Sequence, residues 1–297
     1  MAARPSADAV ASAWRIRGGT IALDRPVVVG VLNVTPDSFS DGGRYLDPAA
    51  AVDRAWRLAE EGADLVDVGG ESTRPGADPV PATEEWRRLE PVLSRAADLP
   101  VPLSVDTTKR EVAERALEAG AAVLNDVSGL RFEPGLADLA ARTGAGLVLA
   151  HMRGDPRTMQ EDVTYDDLVR EVREALERSK GIALAAGCAS DALVVDPGIG
   201  FGKSARGSLE LLARLPELAS VGLPVLVGPS RKSFIGEVLD QPVEERGEGT
   251  LAACVMALER GARLFRVHDV RAARRALDLA TAVRRAGRGS RPGRMEG

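Results

Sequence analysis

The sequence predicts a single-domain (β/α)8 barrel, the TIM-barrel fold of the α/β class, and three observations support this. Short apolar runs recur eight times, a helical pattern follows each run, and 297 residues suit one such barrel. Strands that alternate with helices run parallel, because each crossover returns the chain to the same end of the sheet. A doubly wound open sheet is the structural alternative, but eight units in this length favour the closed barrel.

The eight predicted strands are short, rich in β-branched residues and bounded by Gly, Pro or Asp. Runs of this kind are typical of strands that are buried on both faces of a parallel sheet. In chain order they cover residues 27–34, 63–68, 102–106, 121–127, 146–150, 192–196, 224–228 and 263–267.

The intervening segments have helical periodicity. The first predicted helix begins after Asp47, an N-cap residue, with Pro48 at its first helical position. The fifth has an apolar stripe from Leu168 through Ile182, and Gly187 marks its end.

Both ends of the chain lie outside the barrel domain, which we assign to residues 25–286. Residues 1–24 form a lead-in, in which Trp14, Ile16, Ile21 and Leu23 are placed to form a hairpin that closes the barrel floor. Residues 287–297 are rich in Gly and Arg and poor in apolar side chains, so we expect a disordered tail.

Composition narrows the function classes. A net charge of −5 argues against a nucleic-acid partner, which needs a basic surface. No apolar run approaches the roughly 20 residues that span a bilayer, and the charged first twenty residues exclude an ordinary signal peptide. Cys188 and Cys254 have no metal-site or disulfide spacing near them, so we expect reduced thiols and a cytoplasmic protein.

Scarce polar residues gather at the predicted strand ends, where barrel enzymes carry their active sites. Two Asn and two His occur in the chain, and all four lie at or just past a strand: Asn33, Asn125, His151 and His268. Four charged residues close or follow strands three, six, seven and eight: Asp106, Asp196, Lys232 and Arg266. Turn formation or helix capping explains Asn33, Asn125, Asp106 and Asp196 one at a time, and a hydrogen-bonded structural role explains His151. Neither explains why these residues converge on one end of the barrel.

The loops add a second indication. Segment 35–43 is rich in oxygen ligands and ends in two glycines, which suits a lid over a metal-bound phosphate. Segment 196–204 is not a Walker A motif, because Pro197 stands where that motif needs Gly. Cationic residues in 228–236 and 266–270 follow strands seven and eight, the usual phosphate site of this fold, and indicate an anionic substrate. A surface salt-bridge set is the alternative.

Nine segments together resemble dihydropteroate synthase and occur in the order of that family. They cover residues 32–43, 67–76, 104–107, 125–129, 151–160, 196–203, 230–236, 249–253 and 266–270. The resemblance implies a homodimeric transferase of folate biosynthesis and a sulfonamide target. Its implied substrates are 6-hydroxymethyl-7,8-dihydropterin pyrophosphate and p-aminobenzoate, its products 7,8-dihydropteroate and pyrophosphate, and its cofactor Mg²⁺.

The resemblance also implies residue roles. The implied catalytic residues are Asp106, Lys232, Arg266 and His268. The implied pterin pocket contains Asp106, Asn125, Asp196 and Lys232. Pyrophosphate contacts fall to Asn33, Thr73, Arg266 and His268, and metal ligation to Asn33 and Asp41. The p-aminobenzoate slot is assigned to Phe39, Arg74, Phe201 and Ser233.

The implied mechanism is dissociative: pyrophosphate leaves, a pterin cation forms, and the arylamine attacks it. Asp106 is placed to stabilise that cation, and we hypothesise that His268 is cationic when phosphate is bound. A corrinoid-type methyltransferase barrel and a catalytically silent pterin-binding paralogue remain as rival functions. Small departures from the family pattern occur at Val29, Ala150 and Pro229, and Pro229 restricts the backbone just before Ser230.

Overall fold

The computed structural model describes residues 12–35, 48–95 and 98–289. Eight parallel strands lie in the order β8-β7-β6-β5-β4-β3-β10-β9, and a bridge between Val195 and Val225 joins the two ends of the sheet. The predicted barrel is therefore confirmed. Its strands are β3 (Val27–Asn33), β4 (Leu65–Gly69), β5 (Leu103–Asp106), β6 (Val123–Asp126), β7 (Gly146–Ala150), β8 (Leu193–Asp196), β9 (Leu226–Val227) and β10 (Leu264–Val267).

Helices surround the barrel, and buried apolar side chains fill both its interior and the layer between strands and helices. The helices are α1 (Pro48–Glu60), α2 (Ala82–Leu93), α3 (Arg110–Glu118), α4 (Gly135–Thr143), α5 (Leu168–Ala185), α6 (Ala205–Ala213), α7 (Ser233–Leu239), α8 (Gly247–Glu259) and α9 (Val270–Gly289). Val28 and Leu32 face the helices, whereas Val27 and Val29 face the barrel axis, as strand alternation requires.

An antiparallel hairpin of β1 (Ala13–Ile16) and β2 (Gly19–Ala22) packs against the amino-terminal ends of the strands. Trp14 is fully buried there, and its indole N–H donates to the Ala192 carbonyl at 2.9 Å. Gly146 is needed beneath it, because a Cβ there would lie 3.1 Å from the Trp14 ring. The hairpin closes the barrel floor and leaves the carboxyl ends of the strands for the site.

Two details differ from the predicted elements. Ile182, predicted in the apolar stripe of α5, is exposed, whereas Ser179 is buried and its hydroxyl donates to the Gly129 carbonyl at 2.8 Å. Helix α9 ends at Gly289, three residues past the predicted end of the barrel domain. The predicted N-cap Asp47 lies outside the described residues.

Candidate active site

The strands change from apolar to polar as they approach their carboxyl ends. Alternate residues of a strand face the same side, so five of the polar residues stand directly above an apolar residue of the barrel interior, whereas Asp106 stands above the buried Ser104. The successive pairs are Val31 and Asn33, Leu65 and Asp67, Val123 and Asn125, Val194 and Asp196, and Leu264 and Arg266. One end of the barrel interior is therefore a continuous polar layer.

Strand register brings the first members of this layer side by side. Asn33 pairs with Gly69, Gly69 with Asp106, and Asp106 with Asn125. Gly69 keeps the space between its neighbours open: a Cβ there would lie 3.5 Å from the Asn33 side-chain oxygen and 3.5 Å from the Asp106 Cβ. The site thus has a recess between the Asn33 amide and the Asp106 carboxylate.

Arg266 holds two carboxylates at the base of the site. Its Nε donates to Asp67 Oδ2 at 2.7 Å and a terminal nitrogen donates to Asp106 Oδ2 at 2.8 Å. The Asn125 amide also donates to Asp67 Oδ2 at 2.9 Å, while Asp67 Oδ1 has no hydrogen-bond partner among the described residues. Arg266, a predicted phosphate ligand, therefore lies against the predicted pterin pocket in the ligand-free protein.

Burial makes the two predicted pterin carboxylates weak acids. Desolvation raises the pKa of Asp106 to about 7, and the Asp67 charge adds to this while Arg266 opposes it. Desolvation also raises the pKa of Asp196, although the Gly198 N–H donates to its Oδ1 at 2.7 Å. A buried carboxyl group whose pKa is raised, as both of these are, is typical of a binding or catalytic site.

Lys232 lies at the N-terminal end of α7 and faces this layer. Its Nζ is 3.5 Å from the centre of the Phe201 ring and has no hydrogen-bond partner within the described part of the chain. Burial and the nearby Arg266 lower the pKa of Lys232 to about 8, against the opposite influence of Asp196 and Asp106. A cation left without an acceptor in a buried site is available for a ligand.

His268 follows β10 and faces a cationic environment. Its Nδ1 lies 2.9 Å from Ser230 Oγ. Burial lowers the pKa of His268 to about 3, and the charges of four residues add to this effect: Arg266, Arg231, Lys232 and Arg74. The imidazole is neutral in the ligand-free protein, which differs from the cationic state hypothesised for the phosphate complex. The concentration of positive charge is typical of an anion site.

Lys203 organises the loops after β7 and β8. It is 3% exposed, and its Nζ lies within 3.2 Å of four acceptors: His151 Nδ1 and the carbonyls of His151, Gly198 and Phe201. Burial and the Lys203 charge lower the pKa of His151 well below its ordinary value, so its ring accepts from Lys203. His151 thus contributes to a structural cluster that positions Phe201.

The loop after β4 carries Thr73 and Arg74 and is anchored from beneath. Lys109 donates to Glu71 Oε2 at 2.8 Å and to the buried Glu85 Oε2 at 2.6 Å. Thr73 lines a cavity of about 340 Å³ together with Lys109, and no hydrogen bond or ion pair of the described residues joins it to Arg266 or His268. Arg74 is exposed and approaches His268 only as a charge.

The predicted p-aminobenzoate slot is only partly described. Phe201 packs against Val127, Met152 and Met159, whereas Ser233 is exposed at the first turn of α7. Phe39 lies outside the described residues.

The predicted metal site is also incomplete, because Asp41 lies outside the described residues. No group of three or more His, Cys, Asp or Glu side chains that could hold a metal ion occurs in the described ranges. Mg²⁺ commonly takes one or two protein oxygens and completes its shell with water and phosphate. The open recess beside the Asn33 oxygen fits such a ligand set.

Sequence reasoning missed three residues of the site. Asp67 had a detectable signal: a carboxylate inside an apolar strand must find a charged or hydrogen-bonding partner. Lys203 and Ser230 lie in segments that match the family, but their partners could not be predicted, because Lys203 bonds His151 and Ser230 bonds His268 across different loops of the barrel.

Comparison with known proteins adds an independent finding. Residues 29–268 match the protein family described as pterin binding enzyme. Dihydropteroate synthase of Synechocystis sp. is 46% identical over 261 residues, which cover 87% of this chain and 90% of the relative. Dihydropteroate synthase of Escherichia coli is 46% identical over 256 residues, or 86% and 90% of the two chains.

Solved structures give the same result. The Yersinia pestis dihydropteroate synthase with a sulfonamide drug complex has a TM-score of 0.87 at 44% identity, covering 92% of this chain and 99% of that one. The structure of the Xanthomonas albilineans dihydropteroate synthase with 4-aminobenzoic acid has a TM-score of 0.86 at 48% sequence identity. The match covers 94% of this chain and 100% of that one. Its complex with 7,8-dihydropteroate has a TM-score of 0.82 at 45% identity, with the same coverage.

Proposed function

This chain belongs to the dihydropteroate synthase family of pterin-binding enzymes, and we infer from that membership and the site geometry how its residues divide the reaction. It is a transferase of folate biosynthesis that joins 6-hydroxymethyl-7,8-dihydropterin pyrophosphate to p-aminobenzoate. The observation that carries the division of roles is the polar layer, which is acidic on β5 and β8 and cationic on β10 and the β9–α7 loop.

The pterin is proposed to bind over Asp106, Asn125, Asp196 and Lys232. Carboxylates accept hydrogen bonds from the amino and ring N–H groups of a pterin, and the Lys232 ammonium donates to its carbonyl or ring nitrogens. The buried Asp67 Oδ1 supports this placement, because a buried polar group without a protein partner stabilises a ligand that supplies one. The partly buried Lys232, whose Nζ lies over the Phe201 ring with no hydrogen-bond partner among the described residues, supports it as well.

The leaving group is proposed to occupy the cationic side of the site. The methylene C–O bond breaks, and Arg266 and His268 stabilise the charge that develops on the departing pyrophosphate. Asp106 stabilises the pterin cation. The p-aminobenzoate nitrogen then forms the C–N bond and loses a proton, with Phe201, Arg74 and Ser233 proposed to hold the arylamine.

Mg²⁺ is proposed to bind with the pyrophosphate and to neutralise part of its charge. Asn33 holds it through the side-chain oxygen, and Asp41 is the second proposed ligand. Calorimetric titration of pyrophosphate with and without MgCl₂ tests this role: Asn33→Ala is expected to remove the gain in affinity that Mg²⁺ produces. An unchanged gain in the variant contradicts the assignment.

We further propose a cytoplasmic homodimer. Large apolar side chains are exposed on α7, α8 and α9: Val238, Leu239, Met256, Leu279 and Val283. An exposed apolar area of this kind is typical of a subunit interface. Met256→Glu with Leu279→Glu is expected to give monomers in analytical ultracentrifugation.

The cytoplasmic location rests on a separate observation. Both cysteines are buried and unpaired, which suits a reducing compartment. No described helix is long and apolar enough to cross a membrane.

Turnover tests the proposed division of roles. Pyrophosphate release is expected to depend on Mg²⁺ and to be accelerated by p-aminobenzoate with formation of dihydropteroate, and Asp106→Asn and His268→Ala are expected to reduce kcat. No dihydropteroate formed from the two substrates, or full activity in both variants, contradicts the proposal.

A further inference from the structure

The segment between β9 and α7 is held in an unusual backbone conformation. Arg231 has φ = 58°, in the left-handed region that a residue with a side chain enters at a cost of about 1 kcal/mol. Its N–H donates to Thr250 Oγ1 at 3.0 Å, and its carbonyl accepts from Arg246 at 3.1 Å. Helix α8 and the residue before it therefore hold the segment in place, and Ser230 with it.

Ser230 makes two contacts, both with His268. Its side chain is 8% exposed. The His268 backbone N–H donates to Ser230 Oγ at 3.2 Å, and the same oxygen lies 2.9 Å from His268 Nδ1. No other acceptor for the hydroxyl proton is found among the described residues.

These contacts determine the direction of the second hydrogen bond. If Nδ1 carried a proton, two N–H donors would converge on Ser230 Oγ, and the buried hydroxyl proton would have no acceptor. If Nδ1 is unprotonated, the hydroxyl donates to it and every group is satisfied, as buried polar groups generally are. The remaining ring proton then lies on Nε2.

We propose that Ser230 is a positioning residue that holds His268 as the neutral Nε2–H tautomer and aims this N–H at the departing pyrophosphate. The proposal rests on the proposed function for the identity of the anion. In this arrangement His268 acts as a neutral hydrogen-bond donor and not as a cation, and Arg266 supplies the positive charge.

The surroundings of the ring support a neutral donor. Arg266, Arg231 and Lys232 are the cations whose charges lower the pKa of His268 most. No described carboxylate forms an ion pair with His268. Its carbonyl also accepts from Arg54 at 3.0 Å, which fixes the backbone on the side away from Ser230. The ring is therefore held at its backbone and at Nδ1, while Nε2 has no partner among the described residues.

Nitrogen NMR tests the tautomer directly. The chain has two histidines, so ¹⁵N-histidine labelling gives two ring systems, and His268→Gln identifies the signals of His268. At pH 7 we expect an unprotonated Nδ1 and a protonated Nε2 in the full-length enzyme. A protonated Nδ1, or an imidazolium at pH 7, overturns the proposal without any variant of Ser230.

Kinetics test the consequence. Ser230→Ala is expected to lower kcat roughly 10-fold, the effect of one lost hydrogen bond, with the KM for p-aminobenzoate changed less than about 3-fold. Ser220→Ala is the matched control, because its exposed hydroxyl bonds only the Glu217 carbonyl. If kcat falls and the KM for p-aminobenzoate rises by the same factor, the loop has collapsed, and the positioning role is overturned.

Replacing the ring separates the two nitrogens. The Gln amide nitrogen reaches the position of Nε2, and the Asn amide nitrogen that of Nδ1, so His268→Gln should retain about 10-fold more activity than His268→Asn. Equal activities contradict the proposal. If the wild-type chain releases no pyrophosphate, the proposed function fails; if turnover is normal and Nδ1 is protonated, only the role of Ser230 fails.

Discussion

Lys203 and Lys232 lie at the same end of the barrel and both contact Phe201, but their hydrogen-bonding surroundings differ. Lys203 has four acceptors within 3.2 Å and bonds the Phe201 carbonyl, whereas Lys232 lies over the Phe201 ring with no acceptor among the described residues. Burial lowers the pKa of both amines, so the two lysines differ in their hydrogen bonds: those of Lys203 join the surrounding loops, whereas Lys232 is available to a substrate. The difference separates loop support from substrate binding.

Removal of Lys232 should have the largest effect on binding. Lys232→Ala is expected to weaken pterin binding about 100-fold, because the substrate loses a hydrogen bond to a charged group in a buried site. Because a pKa of about 8 shows that the fold disfavours this ammonium, the melting temperature should not fall. Isothermal titration and scanning calorimetry measure the two quantities; unchanged pterin affinity would remove Lys232 from the pocket.

Removal of Lys203 should act on stability instead. Lys203→Met leaves three carbonyls and a histidine nitrogen without their donor and should reduce the free energy of unfolding by about 2–4 kcal/mol. Lys180→Met is the control, since that partly exposed lysine bonds one carbonyl, that of Val221, and pairs with Glu177 at 2.7 Å on its own helix. Urea denaturation measures both variants. An Lys203→Met protein of wild-type stability would show that the two lysines do not differ as described.

The pH dependence of kcat/KM should reflect the ionisation of Lys232 and not that of Lys203. We expect kcat/KM to fall about tenfold per pH unit below the Asp106 pKa of about 7, as the carboxylate is protonated. It should fall again above the Lys232 pKa of about 8, as the ammonium is lost. Lys232→Arg should move only the alkaline limb to higher pH; a limb that stays in place belongs to another group.

Phe201 links the two lysines and should give the smallest effect. Phe201→Leu keeps the carbonyl that Lys203 bonds but removes the ring beneath Lys232. We expect the KM for p-aminobenzoate to rise about 3- to 10-fold, because the arylamine loses an aromatic partner worth about 0.5–1.5 kcal/mol. Steady-state kinetics measure this KM. If Phe201→Leu lowers the free energy of unfolding more than Lys203→Met does, the Phe201 ring, and not its carbonyl, is the structural contact.

The barrel and the location of its site were predictable from the sequence because both depend on local patterns. Strand periodicity and helical periodicity are properties of neighbouring residues, and polar side chains such as Asp106, Asp196 and Arg266 mark the strand ends. The same pattern could not show that Ser230 bonds His268, or that Asp67 is shared by Arg266 and Asn125.

The sequence by itself determined the eight-unit barrel and the polar residues at the carboxyl ends of its strands. Through nine matching segments it also determined the family of the enzyme. Only the tertiary structure decided which polar groups are satisfied within the protein. Arg266 and Asp67 are 199 residues apart and meet only because β10 pairs with β3 and β3 with β4. Hydrogen bonding acts over about 3 Å, so a group's partners are decided by barrel closure and not by its neighbours in the chain.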